Sequence, residues 1–345
     1  MVEMMIDEII LSEVPAIPGL TLRGFRGEPD YANILAVIDG SKDADQIERS
    51  DTLEDVAWYY THLNNCDPFR DMLFVEVEDK VVGYTRVEWF VNGDGEWLGF
   101  NLAFLLPEWR RKGLGRAMLR FNERRLCEIA AGQIDDGTLD LDTPRSFETY
   151  ADEGEAGKAA LFLAEGYDAV RYGFSMLRPL SEPVEVTPLP AGIEVRPAQP
   201  EHYRTIWEAA EEAFRDHWSA VPGTDTDYER FLSDSTFDPG LWKVGWEGDQ
   251  VAGSVLNFVN AEENEEYERQ RGYTEDISVR CPWRKRGLAT ALLTRSLKMF
   301  QEMGMTEAAL NVDSQNPNGA LRLYERVGFR KMKQSTTYRK AVHLS

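Results

Sequence analysis

The hydrophobic and polar positions along this chain predict the same succession of elements twice. Alternating residues predict an opening strand at 19–23 in the first half and at 192–196 in the second. Helical periodicity follows at residues 28–38, 53–63, 200–214 and 226–233. Strand pairs with a polar turn come next, at 73–84 and 242–253. Similar segments recur about 170 residues apart, which indicates one duplicated domain.

The last part of the second half is predicted in more detail. A helix is expected from Leu288 to about Met303, and a strand over 306–312. The apolar face of that helix is formed by Leu288, Leu292, Leu293, Leu297 and Phe300. A further helix is expected to open at Pro317 and to end at Gly328.

Each half also contains a turn that is rich in arginine and glycine, between a predicted strand and a predicted helix. Such a turn presents free backbone N–H groups at a helix N-terminus, where the helix dipole and nearby cations favour a pyrophosphate. The first turn consists of Arg110, Arg111, Lys112, Gly113, Leu114, Gly115 and Arg116. The second consists of Arg284, Lys285, Arg286, Gly287, Leu288, Ala289 and Thr290.

A proline-rich segment separates the two copies. Its prolines disfavour both helix and sheet, so residues 179–190 are predicted to be an extended linker. The predicted N-terminal domain is 1–178 and the predicted C-terminal domain is 191–345. On this division, residues 191–345 are expected to carry a whole active site.

Composition narrows the function classes. The 345 residues carry a net charge of −22, which argues against nucleic acid and membranes as partners. The acidic surface favours cationic small molecules, although solubility alone would also explain it. The three cysteines suggest neither a disulfide framework nor a metal site. The acidic start, at residues 1–8, lacks a secretion pattern, so a cytoplasmic protein is expected.

The order of elements and motifs resembles the GNAT superfamily of N-acetyltransferases. The family turn, Gln/Arg-x-x-Gly-x-Gly/Ala, is matched at Arg110, Gly113 and Gly115, and again at Arg284, Gly287 and Ala289. A later family motif is matched by Asn316, Ala320, Tyr324, Gly328 and Phe329. The duplicated layout looks like that of mycothiol synthase-like, tandem-domain acetyltransferases. The resemblance implies an α/β (α+β) fold with two tandem GNAT-like domains, each with a mixed, mostly antiparallel sheet flanked by helices.

The resemblance also implies acetyl-CoA as co-substrate. The second turn is expected to hold its pyrophosphate, and the first turn is a candidate for a retained site. The strand edge formed by Ile277, Ser278 and Val279 is expected to pair with the pantetheine amides. Asn316 or Asn318 is expected to hydrogen-bond the same arm.

Two residues are candidates for the proton transfers. Tyr324 occupies the family position of the acid that protonates the departing thiolate, and a buried aromatic on an amphipathic helix is the alternative. Glu275 is the candidate general base, and an exposed charge pair with Asp276 at the start of a strand is the alternative. Neighbouring strand residues point to opposite faces, so at most one of these carboxylates is expected to face the cleft.

The acceptor side is predicted from one cluster. Asp216, His217 and Trp218 follow the first helical region of the second copy and are candidates for binding an amine, with packing at a helix end as the alternative. When the two copies are aligned, Phe162 of the first copy corresponds to Tyr324 and Asn101 corresponds to Glu275. The first copy is therefore expected to be catalytically silent.

The sequence therefore predicts an acetyl-CoA-dependent N-acetyltransferase that acts through its C-terminal domain on the primary amine of a small molecule. A non-catalytic acetyl-CoA-binding regulator or sensor is the alternative. A monomer or a homodimer is expected.

Overall fold

The computed structural model describes residues 14–342, which divide into two compact units. Unit 1 comprises residues 14–170 together with 336–342, and unit 2 comprises residues 171–335. The acidic start, at 1–8, lies outside the described residues. Within the described part of the chain, no helix combines the length and the apolar character that crossing a bilayer requires.

Unit 1 is built on a sheet in which neighbouring strands β1 to β4 are antiparallel and β4 and β5 are parallel. Its strands are β1 (Leu20–Arg23), β2 (Met72–Val77), β3 (Lys80–Val91), β4 (Trp97–Leu105) and β5 (Arg145–Asp152). Its helices are α1 (Pro29–Asp45), α2 (Leu53–Thr61), α3 (Pro68–Asp71), α4 (Leu114–Asp135) and α5 (Ala156–Ala164).

Unit 2 repeats this arrangement, with β10 and β11 as its parallel pair and antiparallel pairs elsewhere. Its strands are β6 (Asp168–Pro179, from residue 171 on), β7 (Glu194–Arg196), β8 (Lys243–Glu247), β9 (Gln250–Phe258), β10 (Arg271–Val279) and β11 (Glu307–Asp313). Its helices are α6 (Tyr203–Phe214), α7 (Asp225–Ser233), α8 (Ala261–Glu266), α9 (Leu288–Glu302) and α10 (Ala320–Arg326). The last strand, β12 (Arg330–Ala341), belongs to unit 2 up to Ser335 and to unit 1 beyond it.

The predicted mixed sheet with flanking helices is confirmed, and the hydrophobic pattern explains why. All five residues of the predicted apolar face of α9 are at most 2% exposed. They pack against buried residues of β9 and β11, among them Val255 and Leu310. In unit 1 the corresponding helix α4 buries Leu114, Met118 and Leu119 in the same way. Each unit therefore has its own core.

One helix begins later than the sequence predicts. Instead of opening at Pro317, α10 begins at Ala320. The Asn316 side chain accepts a hydrogen bond from the Asn318 N–H at 2.8 Å, and Gly319 has a φ of +74°. This turn keeps residues 316–319 out of the helical conformation. The predicted end holds, because Gly328 follows α10 with a φ of +97°.

The units do not follow the predicted boundaries at 178 and 191. Strand β6, which ends the first copy in sequence, pairs with β11 in unit 2, from Gly173↔Asp313 to Pro179↔Glu307. Residues 336–342, which end the second copy, belong to unit 1, where the Val342 N–H donates to the Arg145 carbonyl oxygen at 2.9 Å. Hydrophobic periodicity specifies a strand but not its partner. Residues 191–345 alone therefore lack a strand of unit 2.

The proline-rich segment is extended, with no helix or strand at 183–190, but it lies inside unit 2. The N–H of Thr187 donates to the hydroxyl of Thr294 on α9 at 3.1 Å, and the Arg295 side chain donates to the carbonyl oxygen of Thr187 at 2.7 Å. The segment is therefore attached to the helix that carries the second arginine- and glycine-rich turn.

Candidate active site

A cavity of about 400 Å³ opens in unit 2 where β10 and β11 separate. The parallel pairing of these strands runs from Arg271↔Glu307 only to Tyr273↔Ala309. Beyond that point the two strands are no longer paired with each other, and both line the cavity. The cavity brings together most of the predicted second-unit residues, namely His217, Glu275, Ile277, Ser278, Val279, Arg284, Lys285, Gly287, Leu288, Ala289, Thr290, Asn316, Asn318 and Tyr324. Asp216, Trp218 and Arg286 do not line it.

The second turn forms an open cradle at one end of this cavity. Lys285 and Gly287 have left-handed φ values of +60° and +84°, and α9 begins directly after them at Leu288. A Cβ atom built on Gly287 would meet no other atom within 4 Å. Leu288, Ala289 and Thr290, which form the first helical turn, line the cavity, and this arrangement fits the approach of a phosphate group.

The cations of this turn have different surroundings. Arg284 donates through Nε to the carbonyl oxygen of Val279 at 2.9 Å and through Nη2 to that of Ala213 at 2.7 Å. Its guanidinium also forms an ion pair with Asp216. Arg286 donates to the carbonyl oxygen of Ala191 at 2.9 Å. Lys285 forms no ion pair with any described residue, so it is the cation of this turn that stays available for a ligand.

The ion pair gives Asp216 a different role from the predicted one. Its carboxylate binds Arg284 and so joins the end of α6 to the turn. The guanidinium of Arg284 and a hydrogen bond from it hold the pKa of Asp216 below its usual range. These contacts do not support Asp216 as the partner of a substrate amine, because the carboxylate is already neutralised by the protein.

Tyr324 lies in the wall of the cavity, on α10. Its side chain is buried, with 7% of the residue exposed, and it packs edge-on against Phe329. Its hydroxyl forms no hydrogen bond with any described residue. Burial raises the pKa of Tyr324 well above its usual value, and the nearby Glu275 carboxylate adds to this increase. The hydroxyl therefore keeps its proton at neutral pH.

Glu275 and Asp276 both line the cavity, contrary to the expectation that at most one of them would do so. The reason is a bulge. The pairing of β10 with β9 shifts register between Glu275 and Ser278, and Asp276 has a φ of +44°. A bulge breaks the alternation of faces along a strand. The two neighbouring carboxylates can then point to the same side.

The environment of Glu275 suits a base. Burial is the main cause that raises the pKa of Glu275 to about 8, and the charge of Asp276 contributes to the increase. The Asn311 amide donates to Glu275 Oε1 at 3.1 Å, which opposes part of this increase. A carboxylate whose pKa lies near neutrality accepts a proton more readily than an ordinary one.

The acceptor side of the cavity is formed by the end of α6 and the turn after β11. The ring of His217 packs edge-on against Phe214, with centroids 4.7 Å apart, and its Nε2 lies 3.4 Å from the amide nitrogen of Asn316. Burial lowers the pKa of His217, so the ring is neutral at pH 7. Trp218 turns away from the cavity and packs under Arg171.

Unit 1 has the same turn, but it is covered. Arg111 and Gly113 have φ values of +61° and +91°, close to those of the second turn. A Cβ built on Gly113 would lie 3.5 Å from the ring of Pro15, and one on Gly115 would lie 3.5 Å from Leu161. Side chains of unit 1 thus border the first turn, whereas the space next to Gly287 is open.

Three of the four cations of the first turn are engaged, and Arg111, at the position of Lys285, forms no ion pair with any described residue. Arg110 forms a two-pronged ion pair with Asp45, with contacts of 2.5 and 2.8 Å, and Arg116 pairs with Glu165 at 2.6 Å. Lys112 lies over the ring of Trp109. Arg110 holds its turn as Arg284 holds the other, because each donates to the carbonyl oxygen five residues before it.

The parallel pairing of β4 with β5 also ends early, at Phe100↔Glu148, but side-chain hydrogen bonds continue it as far as Asn101 and Thr149. The Thr149 hydroxyl donates to the Asn101 carbonyl oxygen at 3.0 Å, and the Asn101 amide donates to the Glu148 carbonyl oxygen at 3.2 Å. These bonds join β4 to β5. The pairing of β4 with β3 runs without a register shift, and Phe162 is buried in the core.

Some cavity residues were not among the predicted ones. Asn311 and Asp313 face the cavity from β11, and Phe214 does so from α6. The alternation of apolar and polar residues from Leu310 to Asp313 was a signal in the sequence, because it puts Asn311 and Asp313 on the same face of β11.

Comparison with known proteins shows a similarity in the part of the chain that forms this site. Residues 203–329 match the model of the acetyltransferase (GNAT) family. A mycothiol acetyltransferase of Geodermatophilus obscurus is 27% identical over 275 residues, which are 79% of this chain and 82% of the relative. One from Salinispora arenicola is 26% identical over 91% of this chain and 94% of the relative.

Solved structures agree. The crystal structure of a GCN5-related N-acetyltransferase from Sphaerobacter thermophilus has a TM-score of 0.68 and 26% identity, and covers 93% of this chain and 95% of its own. A tandem GNAT protein from the clavulanic acid biosynthesis pathway has a TM-score of 0.66 and 14% identity, over 94% and 99% of the two chains. The second likeness concerns the fold alone.

Proposed function

We propose that unit 2, which contains the residues matched by the acetyltransferase (GNAT) family model, transfers the acetyl group of acetyl-CoA to the primary amine of a small molecule. The observation that carries this proposal is the combination in one cavity of an open cradle at Gly287, a carboxylate with a raised pKa at Glu275 and a free hydroxyl at Tyr324.

The cavity fits acetyl-CoA in two places. The N–H groups at the start of α9 and the side chain of Lys285 are suited to the pyrophosphate. The edge of β10 from Ile277 to Val279, which β11 leaves unpaired, is suited to the amides of the pantetheine arm. Binding at both places would hold the thioester beside the acceptor, so that positioning supplies part of the rate.

The chemistry needs two proton transfers. The amine nitrogen bonds to the thioester carbonyl carbon, and the carbon–sulfur bond breaks. Glu275 takes the proton that the amine loses, and the Tyr324 hydroxyl supplies the proton that the thiolate gains. The two steps assist each other. Burial is the largest cause that disfavours ionisation of Tyr324, and the negative charge of Glu275 is the second. Once Glu275 is protonated, that repulsion is gone.

Unit 1 has no catalytic role in this proposal. Phe162 stands at the position of Tyr324, and Pro15 lies beside Gly113 where the space next to Gly287 is open. Unit 1 then contributes structure, and unit 2 carries both the acetyl-CoA site and the reaction. The free thiols of Cys66, Cys127 and Cys281 fit a reducing compartment, so we place this activity in the cytoplasm.

The test is a thiol-release assay with acetyl-CoA and a panel of amines. The panel includes amino sugars, polyamines and acceptors related to mycothiol, the compound after which several relatives are named. We expect release of CoA with at least one amine and formation of the acetylated product by mass spectrometry. Tight acetyl-CoA binding without turnover of any amine would instead favour a regulator or sensor.

A further inference from the structure

We propose that Arg171 is a positioning residue that holds the acceptor side of the unit 2 cavity. The identity of the ligand in this proposal rests on the proposed function. The contacts of Arg171 do not depend on it. Arg171 lies on β6, and nothing in the repeat or in the later family motif points to it.

Arg171 binds the turn that follows β11. Its Nε and Nη2 donate to the two carboxylate oxygens of Asp313 at 2.9 and 2.6 Å. Its Nη1 donates to the side-chain oxygen of Gln315 at 3.0 Å, and its Nη2 to the carbonyl oxygen of the same residue at 3.2 Å. Two-pronged arginine–carboxylate pairs fix geometry as well as charge. Asp313 itself lines the cavity, so this contact orients a wall of the site.

Arg171 also contacts the segment that follows α6. Its guanidinium lies over the ring of Trp218, 5.2 Å from the centroid. Trp218 is next to His217, whose Nε2 faces the Asn316 amide at 3.4 Å. One side chain therefore joins the two segments, 214–218 and 313–316, that meet at the acceptor side of the cavity.

This clamp meets the acetyl-CoA cradle at Asp216, which lies in the segment 214–218 and forms an ion pair with Arg284. The turn at 284–290 is also held by contacts outside the clamp, the bonds from Arg284 to the carbonyl oxygens of Val279 and Ala213. Loss of Arg171 would release the acceptor side and leave the Asp313 carboxylate unpaired in the cavity, but would leave the cradle in place. We therefore expect the amine, and not acetyl-CoA, to lose productive binding.

The test compares Arg171→Ala and Arg171→Lys with Arg178→Ala. Arg178 is a matched control because it lies on the same strand but bonds to Val327 and Pro183, away from the cavity. Hydrogen–deuterium exchange of the full chain reports the clamp without needing turnover. Arg171→Ala should speed exchange at 214–218 and at 313–316, with 284–290 unchanged, and the Arg178 variant should not.

In the thiol-release assay, kcat/KM for the amine should fall on the order of 10²-fold in Arg171→Ala, because small misplacements at an active site cost about this much. The Kd of acetyl-CoA, measured by calorimetry, should stay within about threefold. Arg171→Lys keeps the charge but not the two-pronged contact, so it should recover only part of the activity.

Unchanged exchange in both segments of a folded Arg171→Ala protein would overturn the inference. So would an equal loss of acetyl-CoA affinity and of amine kcat/KM. A wild-type chain that acetylates no amine would count against the proposed function instead, and the exchange measurement would then decide this inference alone.

Discussion

The raised pKa of Glu275 predicts a specific pH dependence of turnover. The pKa of this carboxyl lies at about 8, because burial and the charge of Asp276 disfavour its ionised form. Only the ionised form accepts a proton, so activity should rise as the pH increases through that value. Roughly a tenth of Glu275 is ionised at pH 7 and roughly nine tenths at pH 9, which predicts about a tenfold increase in kcat.

The assay is CoA release at saturating acetyl-CoA and amine from pH 6 to pH 10. Glu275→Gln keeps the shape of the side chain but cannot accept the proton. We expect it to lower kcat by about 10²- to 10⁴-fold and to remove the increase near pH 8. Under saturating conditions kcat reports groups in the bound complex, so titration of the free amine does not enter.

Asp276→Asn is the matched control, since it changes the neighbouring carboxylate and leaves the base. Without the charge of Asp276 the pKa of Glu275 should fall, so the midpoint of the profile should move to lower pH. A wild-type kcat that does not change with pH, or a midpoint near 8 that persists in Glu275→Gln, would refute the assignment of the base.

Three further predictions concern the two copies. Tyr324→Phe keeps the ring and its packing, so it should lower kcat by about 10²- to 10⁴-fold with little change in Tm. Phe162→Tyr should leave kcat unchanged. A fully active Tyr324→Phe would exclude the proposed acid. Gly287→Val and Gly113→Val carry similar backbone strain, at φ values of +84° and +91°, but only the first should abolish turnover in the assay. A fragment of residues 191–345 lacks β6, so it should show neither a cooperative melt by circular dichroism nor turnover; wild-type kcat from this fragment would contradict that expectation.

The sequence was sufficient to predict the fold and most residues of the cavity. Two turns with the same spacing, and a later motif in the second copy, identify where α9 begins and where α10 ends. The five apolar residues of α9 are buried as their spacing predicts. These features are local, because each depends on residues close together in the chain.

What the sequence did not predict depends on partners that are distant in the chain. Pro15 covers Gly113 from about 100 residues away. The bulge at Asp276 depends on its pairing with β9, and Arg171 reaches Asp313 only because β6 pairs with β11. Arg284 has the residue type of a phosphate ligand, yet its charge is paired with Asp216. Periodicity and motif spacing do not specify such contacts.

The central claim is that unit 2 holds the acetyl-CoA site while the first turn, in unit 1, does not bind acetyl-CoA. Titration calorimetry of the full chain with acetyl-CoA tests it most directly. We expect one molecule bound per chain, with binding lost in Gly287→Val and kept in Gly113→Val. Two molecules per chain, or one whose binding is lost only in Gly113→Val, would contradict the claim.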